Sequence, residues 1–536
     1  MSRTNIKLLV IAAAAGLAGI WLMWRIMVID INRDYYLSFD SSAPRKVDIV
    51  CSYGEIYDRN GIPLVNRQER YIAVINPETA DKNTLRGHIE DRQKYEECID
   101  GTALFLCEVD SPELDSVTVI NVKERYPKEN SEAPIAPHII GYVGEDGGVS
   151  GIEKSCNDIL RQPKSTVTLS YSVDADGNML EGDGLSMNWQ SSYRTGVCTS
   201  LDYEIQLAAQ NAMKNVEKGA VVVMDITTGD ICAVVSCPDF DPAHPERSLD
   251  SEDSPFVNRA FSAYSVGSAF KLVTAGAALE YGISERYSYD CGGSIKVRGS
   301  NFDCHRYGGH GRLDMREAMV ESCNPYFISL ASDIPTDFLY EFAEGLGFGK
   351  ACRLGSGIQS AAGVLPTARE LKVPEEKANF AFGQGKVSAT PLQITLLTAA
   401  IANHGQMPAP ILINGDLSGS EVTAAAAPSF HRVMRSSTAD KLRSYMISTL
   451  YKENSKAVPE FTTGGGKTST AQTWTYNENG EENMNCWFTG FFPADEPRYA
   501  VTIMIEEGVS GNITCGPVFK EIADSVKMRR YSEKEK

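Results

Sequence analysis

Apolar residues dominate the start of the chain. Residues 8–24 carry no charge, Arg25 interrupts the run, and residues 26–29 extend it, which gives about the 20 apolar residues that the hydrocarbon core of a bilayer requires. The small residues near position 13 also fit a cleaved signal peptide, and the run also fits a buried core helix. Because the run continues past the alanines, we expect an uncleaved transmembrane anchor at 8–29, with a cytoplasmic N-terminus at 1–7.

Shorter apolar runs of strand length follow the expected anchor. Residues 71–75 and 166–171 alternate or concentrate apolar side chains as strands do, and polar, turn-rich segments separate them. The pattern predicts an α+β domain at 30–195. The boundary falls where the polar stretch of residues 174–188 gives way to a new apolar pattern.

The second half has a clearer order. Residues 201–216 have helical spacing, and the apolar runs 220–225 and 231–235 flank a Thr-Gly-Asp turn as a hairpin does. A helical stretch from about 269 to 403 follows, and the runs 486–491 and 499–505 have strand length. Strands at both ends with helices between them predict an α/β body at 196–526, in which helices cover the faces of one antiparallel sheet. A charged tail at 527–536 remains.

Composition and charge narrow the possible functions. The chain has 536 residues, 43% of them hydrophobic, and 51 basic against 70 acidic residues give a net charge of −19. This hydrophobic content fits a globular protein and excludes collagen-like, coiled-coil and largely disordered classes. The acidic balance argues against nucleic acid as a partner, because phosphate binding needs a surplus of Lys and Arg.

The chain contains 13 cysteines but only 7 histidines. It has no C-x-x-C pair and no Cys/His cluster with zinc-ligand spacing, so we expect neither a metal site nor a cofactor. Cys291 and Cys304 flank a Gly-rich segment that can turn the chain. They form a candidate disulfide if the chain is exported, and a pair of free thiols otherwise.

Ser268 and Lys271 form the first chemical motif, S-x-x-K, at the start of an apolar helical pattern. Residues i and i+3 share a helix face, so the Lys271 amine can approach the Ser268 hydroxyl. A lysine serves as base for a serine if burial or a second cation lowers its pKa. Taken alone, the pair also fits an ordinary helix surface.

Two further motifs follow in order. Ser322, Cys323 and Asn324 end a helix-like run, and taken alone they fit a polar loop with a capping Asn. Lys467, Thr468 and Ser469 follow three glycines. A phosphate loop is excluded because Phe461 stands where that motif needs Gly. An extended Lys-Thr-Ser strand can bind a carboxylate, although a solvated edge strand remains an alternative.

The ordered trio S-x-x-K, S-x-N and K-T-[small] resembles penicillin-binding enzymes. Longer segments extend the likeness: YGEIYDRNGIPL, GYVG, GIEKSCNDIL, YSVGSAFKLVTAGAALE, HGRLDMREAMVESCNPYF, GQGKVSATPLQ, GGGKTSTAQT and WFTGFFP. The chain therefore resembles the class B penicillin-binding proteins, membrane-anchored D,D-transpeptidases of peptidoglycan synthesis. Two residues depart from the family pattern: Tyr53 stands where an Arg is usual, and Ser469 stands where K-T-G has Gly.

The resemblance implies a penicillin-binding transpeptidase fold, a pedestal domain and a set of roles. Ser268 is expected to form an acyl-enzyme with the stem peptide and Lys271 to take its proton, with Lys467 helping to keep Lys271 neutral. Ser322 is expected to relay a proton to the leaving D-alanine, and Asn324 to orient Lys271. The expected substrate-binding residues are Thr468, Ser469, Thr470, Gly383, Gln384 and Gly385. We expect a Ser469→Gly change to leave acylation intact or to improve it.

Other functions share these motifs. A D,D-carboxypeptidase uses water as acceptor, and a catalytically impaired scaffold would need only the pedestal and the anchor. A β-lactamase or sensor would not need the first domain. Residues 30–190 are too few and too turn-rich for a glycosyltransferase. The expected partners are therefore stem peptides, β-lactams, the membrane and a polytopic glycan polymerase, with the catalytic domain on the extracytoplasmic side.

Overall fold

The computed structural model describes residues 16, 18–19, 21–23, 45–127, 133–173, 185–191, 195–355, 357–418, 421–424, 427–476 and 480–534. The anchor expected at 8–29 lies almost entirely outside these residues. Within the described part of the chain, no helix combines the length and apolar character needed to span a bilayer. The anchor therefore stays a prediction.

The described chain forms short elements at first and longer ones later. The strands are β1 (Arg45–Tyr53), β2 (Glu55–Tyr57), β3 (Gln68–Ile75), β4 (Phe105–Val109), β5 (Thr118–Glu124), β6 (Val143–Gly144), β7 (Gly147–Gly148), β8 (Pro163–Tyr171), β9 (Ser186–Ser191), β10 (Thr195–Thr199), β11 (Gly219–Asp225), β12 (Ile231–Cys237), β13 (Tyr264–Ser265), β14 (Tyr289–Cys291), β15 (Ser294–Val297), β16 (Ser300–Asp303), β17 (Gly311–Leu313), β18 (Arg353–Gly355), β19 (Ile358–Gln359), β20 (Ser388–Ala389), β21 (Gln406–Pro408), β22 (Ile413–Ser418), β23 (Glu421–Ala424), β24 (Phe430–Arg432), β25 (Gly465–Tyr476), β26 (Glu482–Phe492) and β27 (Tyr499–Ile505).

The α-helices are α1 (Lys82–Leu85), α2 (Arg92–Cys98), α3 (Pro137–Ile140), α4 (Gly151–Ser155), α5 (Asn157–Leu160), α6 (Tyr203–Ala212), α7 (Lys271–Tyr281), α8 (Met315–Glu321), α9 (Asn324–Ser332), α10 (Thr336–Gly345), α11 (Pro374–Ala381), α12 (Pro391–Ala402), α13 (Ser436–Leu450) and α14 (Gly516–Lys534). Short 3₁₀ turns occupy Pro245–Ser248, Gly267–Phe270 and Glu370–Lys372, and a π turn occupies Gly511–Cys515.

These elements group into two compact units. The first takes in the described residues up to Ser52, then Glu69–Lys123 and Pro163–Ser192, and the second takes in Tyr53–Gln68, Glu124–Gln162 and Tyr193–Lys536. Segments 53–68 and 124–162 thus group with the body that was predicted to begin at 196. The domain limits of 30–195 and 196–526 remain predictions, and the structure adds that the chain passes between the units more than once.

The first unit is an α+β arrangement of two three-stranded sheets, ordered β4-β3-β5 and β1-β8-β9. Alternate residues of these strands point to one shared core, since strand side chains alternate between faces. That core consists of Ile49, Cys51, Val74, Ile120, Val122, Val167 and Leu169. Helices α1 and α2 cover a second small cluster.

The second unit is built on a five-stranded antiparallel sheet ordered β12-β11-β27-β26-β25. The predicted hairpin of β11 and β12 and the terminal pair β26 and β27 all lie in it. Every residue of β11 and of β27 is buried. Both faces of β11 and β27 are covered, which explains why their sequences are mainly apolar.

The sheet separates two hydrophobic cores. Ala220, Val222 and Met224 of β11 join a core with the central helices, whereas Val221 and Val223 join a core with α6 and α14. Helix α12 has all twelve residues buried. The predicted antiparallel sheet with helices on both faces is therefore present. Strand β25 is its edge strand, so one side of its backbone lies outside the sheet.

The stretch expected to be helical from 269 to 403 is helical only in part. Residues between α7 and α8 form two small antiparallel ladders, β14 with β17 and β15 with β16. Gly293, Gly299, Gly308 and Gly309 all have positive φ there, a backbone conformation that favours glycine. The expectation of a helical stretch from about 269 to 403 is therefore correct only outside these hairpins, in which the glycine turns interrupt the helical pattern.

A buried ion pair organises the N-terminal segments of the second unit. Arg125 donates to both carboxylate oxygens of Glu153 at 2.7 and 2.8 Å and to the Gly54 carbonyl at 2.6 Å. Glu153 is only 2% exposed, so the bidentate contact supplies hydrogen bonds that its buried carboxylate cannot obtain from water. Tyr53, the first departure from the family pattern, is exposed beside this segment.

Candidate active site

Ser268 lies in the 3₁₀ turn Gly267–Phe270, immediately before α7. Gly267 has φ +62, and a Cβ placed on it would lie 2.6 Å from Ser469 Oγ. Its amide donates to the Gly383 carbonyl at 2.9 Å. Only glycine fits this turn without strain. The turn presents Ser268 while the neighbouring Ala269 and Phe270 are fully buried.

Lys271 is fully buried in the first turn of α7, and its amine contacts the turn that carries Ser268 and the turn between α8 and α9. Its Nζ lies 3.0 Å from Ser268 Oγ, 2.7 Å from Asn324 Oδ1, and 2.6 and 3.1 Å from the carbonyl oxygen and Oγ of Ser322. The sequence predicted the approach of Lys271 to Ser268, and the structure adds that oxygens more than fifty positions away surround the amine.

The S-x-N residues reach Lys271 through a sharp turn between two helices. Ser322 ends α8 with φ +54, in the left-handed region, and Asn324 begins α9. The Asn324 amide nitrogen donates to the Asp303 carbonyl at 3.4 Å, which leaves its oxygen directed at Lys271. The turn thus presents two side-chain oxygens and one carbonyl oxygen to one amine.

Lys467 is the second buried cation of the site, and it is 1% exposed. Its Nζ donates to Ser322 Oγ at 3.1 Å and to the Thr468 carbonyl at 2.8 Å. Ser322 Oγ therefore lies within hydrogen-bonding distance of both lysine amines. This hydroxyl connects the S-x-x-K and K-T-S motifs.

Burial lowers the pKa values of both lysines, because it disfavours the charged form. Burial, and next the charge of Lys467, hold the pKa of Lys271 well below its usual value. Burial, and next the charge of Lys452, lower the pKa of Lys467 to about 7. Both shifts favour the neutral form of the amine, which for Lys271 is the form that can act as a base.

Thr468 and Thr470 alternate with buried residues along β25. Thr468 is half-buried and lines a cavity of ≈ 250 Å³ together with Ser322, Glu321 and Lys452. Thr470 is exposed, and its Oγ1 accepts from the Gly511 amide at 3.3 Å. Both threonines lie on the accessible side of the edge strand.

Ser469 was expected to bind substrate, but its side chain is turned towards the protein interior. It is 2% exposed, and its hydroxyl donates to the Val266 carbonyl at 2.6 Å. The side chains of a strand alternate in direction, so Ser469 points into the body while its neighbours face outward. The hydroxyl is thus buried and bonded to the protein backbone. It ties β25 to the segment before Ser268.

Gly383, Gln384 and Gly385, expected to line the pocket, lie beside the nucleophile turn. Gly383 has φ +80, and a Cβ there would lie 2.1 Å from the Gly267 carbonyl oxygen. The amide of Gln384 donates to the Asn379 carbonyl at 2.9 Å, and Gly385 is exposed. Gly383 therefore supports the backbone that carries Ser268.

Sequence reasoning missed Lys452, whose charge contributes to the lowered pKa of Lys467. Lys452 lies at the end of α13, forms an ion pair with Glu321 at 2.7 Å and belongs to none of the motifs. A general search for basic residues would not have selected it. Only the packing of α13 against β25 brings Lys452 close to Lys467.

The cysteines also differ from expectation. All thirteen lie in the described part of the chain, and each has a free thiol, so the candidate Cys291–Cys304 disulfide is not formed. The expectation that no metal site exists rested on spacing in the sequence. Donor atoms of Cys291, Cys304, His310 and Cys323 nevertheless lie within 4.8 Å of one another.

Comparison with known proteins identifies the family. The model of the penicillin-binding protein transpeptidase domain matches residues 219–524, which is more than half of the chain. The chain belongs to the penicillin-binding protein transpeptidase family. The match includes Ser268, Lys271, Ser322, Asn324 and Lys467, the residues that converge in the structure.

Several relatives extend this assignment beyond one domain. The peptidoglycan D,D-transpeptidase MrdA of Acinetobacter baumannii is 27% identical, with 85% of this chain and 78% of the relative covered. Stage V sporulation protein D of Bacillus subtilis is 27% identical over 84% and 74% of the two chains. The probable peptidoglycan D,D-transpeptidase PenA of Neisseria meningitidis is 32% identical over 75% and 68%. The predictions of a class B penicillin-binding protein and of a serine D-Ala-D-Ala transpeptidase are confirmed.

Solved structures agree on the fold. Penicillin-binding protein PBP2 of Helicobacter pylori has a TM-score of 0.69 and 21% identity, covering 91% of this chain and 100% of that one. A chain from a structure titled as a peptidoglycan synthase complex that coordinates polymerization and crosslinking has a TM-score of 0.71 and 25% identity, with 98% of both chains covered. The penicillin-binding transpeptidase fold with an N-terminal domain is thereby confirmed.

The Ser469 hydrogen bond predicts a stability effect. Ser469→Ala removes the donor to the buried Val266 carbonyl, and we expect it to destabilise this penicillin-binding protein by about 1–3 kcal/mol. Ser469→Gly should lose the same hydrogen bond and show a similar loss of stability, while the expectation that acylation stays intact or improves remains a separate prediction. Thermal unfolding by calorimetry measures the effect, with Thr475→Ala at the exposed end of β25 as control. An unchanged midpoint in Ser469→Ala would contradict the assigned role.

Proposed function

We propose that this penicillin-binding protein is a membrane-anchored D,D-transpeptidase that cross-links stem peptides through an acyl-enzyme on Ser268. One observation carries the proposal: Lys271 is fully buried, has a strongly lowered pKa and lies 3.0 Å from Ser268 Oγ. A serine needs an adjacent unprotonated base to act as a nucleophile near neutral pH. The pair supplies both groups.

Hydrogen bonding explains how Lys271 is oriented as a base. A neutral amine has two protons and one lone pair. The Ser322 carbonyl and Asn324 Oδ1 can only accept hydrogen bonds, and they lie at 2.6 and 2.7 Å. Both protons are thereby used, and the lone pair is left for a hydroxyl. In the proposed first step it accepts the Ser268 proton as Ser268 Oγ attacks the carbonyl carbon.

The proton that Lys271 takes from Ser268 is also needed to complete the acylation. The bond from Ser268 Oγ to the carbonyl carbon forms, and the bond to the terminal D-alanine nitrogen breaks. Ser322 Oγ lies 3.1 Å from the Nζ atoms of Lys271 and Lys467, so it can pass the proton to the leaving amine. An amine of a second stem peptide then attacks the ester, transfers its proton back through Lys271 and releases Ser268.

Substrate binding is assigned to the edge strand. Lys467 and Thr468 would bind the terminal carboxylate, since Lys467 Nζ lies 3.1 Å from Ser322 Oγ and Thr468 lines the same cavity as Ser322. The backbone amides of Ser268 and Thr470 would stabilise the oxyanion, as an N–H at a helix start and one on an edge strand are free of regular partners. Ser469 has no direct role in this scheme.

A β-lactam would acylate the same serine and remain attached. The likeness to a peptidoglycan synthase complex supports a polytopic glycan polymerase as partner. The apolar run at 8–29 supports an anchor that holds the catalytic unit outside the cytoplasmic membrane.

Product formation tests the reaction. With a pentapeptide donor and an acceptor amine, we expect loss of one D-alanine and formation of a cross-linked dimer, detected by mass spectrometry. Incubation with a β-lactam should add the drug's mass to the wild type. Ser268→Ala should give neither result, and Lys271→Met should slow acylation at least about 100-fold.

Other outcomes identify the competing functions. Hydrolysed donor without dimer indicates a D,D-carboxypeptidase, and rapid drug turnover indicates a β-lactamase. Absence of both adduct and product in correctly folded wild type indicates a catalytically impaired scaffold. Each of these results would overturn the proposed transpeptidation.

The lysine pKa values predict a bell-shaped pH dependence of the second-order acylation constant. The rate should rise as Lys271 loses its proton and fall as Lys467, whose pKa is about 7, loses its charge. Lys452→Met removes a neighbouring positive charge, so the pKa of Lys467 and the alkaline limb should move to higher pH. Stopped-flow acylation between pH 5 and about 9 measures the profile, with Lys94→Met, an exposed lysine of the first unit, as control. A flat alkaline region in the wild type argues against a titrating Lys467.

The anchor has its own test. The full chain should sediment with membranes and require detergent for release, because its apolar run has the length of a membrane span. Deleting residues 1–30 should move the protein to the supernatant with β-lactam acylation retained. Release of the full chain by high salt alone would argue against a spanning segment.

A further inference from the structure

The segment that leads into the Ser268 turn is held from more than one side. Strand β13 pairs with β20, which places Ser265 opposite Ser388. The Gly267 amide donates to the Gly383 carbonyl at 2.9 Å. Gly267 has φ +62, which is one of several conformations open to glycine. Contacts from outside the turn must therefore select this conformation.

Two side chains of the central sheet donate to successive carbonyls of this segment. Trp487 Nε1 donates to the Ser265 carbonyl at 2.9 Å, and Ser469 Oγ donates to the Val266 carbonyl at 2.6 Å. Both donors are buried, and Trp487 is fully buried. Trp487 begins the segment WFTGFFP, and the sequence gave no reason to assign it a role.

The two donors are a cross-strand pair. Ser469 of β25 lies directly opposite Trp487 of β26. Opposite residues of antiparallel strands direct their side chains to the same face, so both side chains extend from one face of the sheet. Trp487 also packs in the same hydrophobic core as Val266, Ala269 and Phe270. Packing thus fixes the indole ring that carries the donor.

Peptide geometry makes the contact at Val266 a strong restraint. In a trans peptide, the C=O of one residue and the N–H of the next lie in one rigid plane and point in opposite directions. Ser469 holds the Val266 carbonyl, and Gly383 holds the amide of Gly267 at the other end of the same plane. This plane is therefore fixed at both ends.

Trp487 fixes the peptide plane before that one. Its N–H holds the Ser265 carbonyl, which lies two peptide planes before the amide of Ser268. A rotation of the Ser265 peptide would turn the planes that follow and would move both the Ser268 hydroxyl and its amide. The proposed function needs that hydroxyl as nucleophile and that amide as an oxyanion donor.

We propose that Trp487 is a positioning residue for acylation, because its indole N–H and Ser469 Oγ together orient the segment that carries Ser268. The inference rests on the proposed acyl-enzyme at Ser268. The two donors hold neighbouring peptide planes, so each one compensates in part for loss of the other.

Removal of the N–H alone tests this role. Trp487→benzothienylalanine, made in the full chain, replaces the N–H by sulfur at nearly the same shape, and Trp487→4-fluorotryptophan keeps the N–H. With a β-lactam in stopped flow, the sulfur analogue should lower the first-order acylation constant at least about tenfold, because misplaced nucleophiles react slowly. The fluorinated analogue should keep the wild-type constant.

Other kinetic quantities separate positioning from binding. The non-covalent dissociation constant of the β-lactam should change less than about twofold. The pH profile should keep its limbs, because the substitution does not touch Lys271 or Lys467. A loss confined to the dissociation constant, or a displaced limb, would overturn the positioning role. So would an unchanged acylation constant.

A double-mutant cycle tests whether the two donors share the task. Removal of the Trp487 N–H in the Ser469→Gly background should cost about tenfold more than in the wild type, as expected for coupled groups. Trp189→Phe changes an exposed tryptophan of the first unit and should leave the acylation constant unchanged. Equal losses in both backgrounds would overturn the shared role.

The wild type keeps the test decisive if the sulfur analogue does not fold. By NMR, the Trp487 indole N–H should exchange with deuterium at least about 100-fold more slowly than those of the exposed Trp189 and Trp474. Exchange as fast as theirs would overturn the hydrogen bond to Ser265. A protected Trp487 in a wild type that forms no β-lactam adduct would overturn the proposed function, and with it the role in acylation.

Discussion

The site depends on burying the Lys271 amine between three separate segments of chain. Burial lowers its pKa, and the neighbouring charge of Lys467 lowers it further. An amine buried without hydrogen-bond partners would be costly, yet Ser322 and Asn324 supply oxygens at 2.6 and 2.7 Å. The position of α7 relative to the turn between α8 and α9 is therefore fixed by chemistry as well as by packing. A shift of that turn would change both the protonation of Lys271 and its aim at Ser268.

Strand β25 also contributes to the environment of Lys271 and to the position of the Ser268 turn. Lys467 contributes charge, and Ser469 donates to the Val266 carbonyl at 2.6 Å. Gly267 and Gly383 allow the nucleophile turn to approach β25 and its neighbouring loop, where a Cβ would clash. The Ser that replaces Gly in the K-T-G pattern is thus accommodated, because its hydroxyl finds a backbone partner inside the body. The departure adds a hydrogen bond that ties β25 to the segment before Ser268.

The cysteine cluster extends this organisation behind the S-x-N turn. Cys323 stands between the two residues that contact Lys271. Glu321 connects His310 to Lys452, and Lys452 influences Lys467. The Cys/His cluster and the two lysines are therefore neighbours in one polar network.

The sequence by itself determined the family, the order of the motifs and the central sheet, because S-x-x-K spacing and strand-length apolar runs are local properties. It also placed Lys271 beside Ser268, since i and i+3 share a helix face. Tertiary structure alone decided the inward direction of Ser469, the influence of Lys452 and the convergence of Cys291, Cys304, His310 and Cys323. The lowered pKa of Lys271 is also a result of the tertiary structure. Burial and charge at an amine depend on segments more than fifty positions away, and no local pattern records how those segments pack.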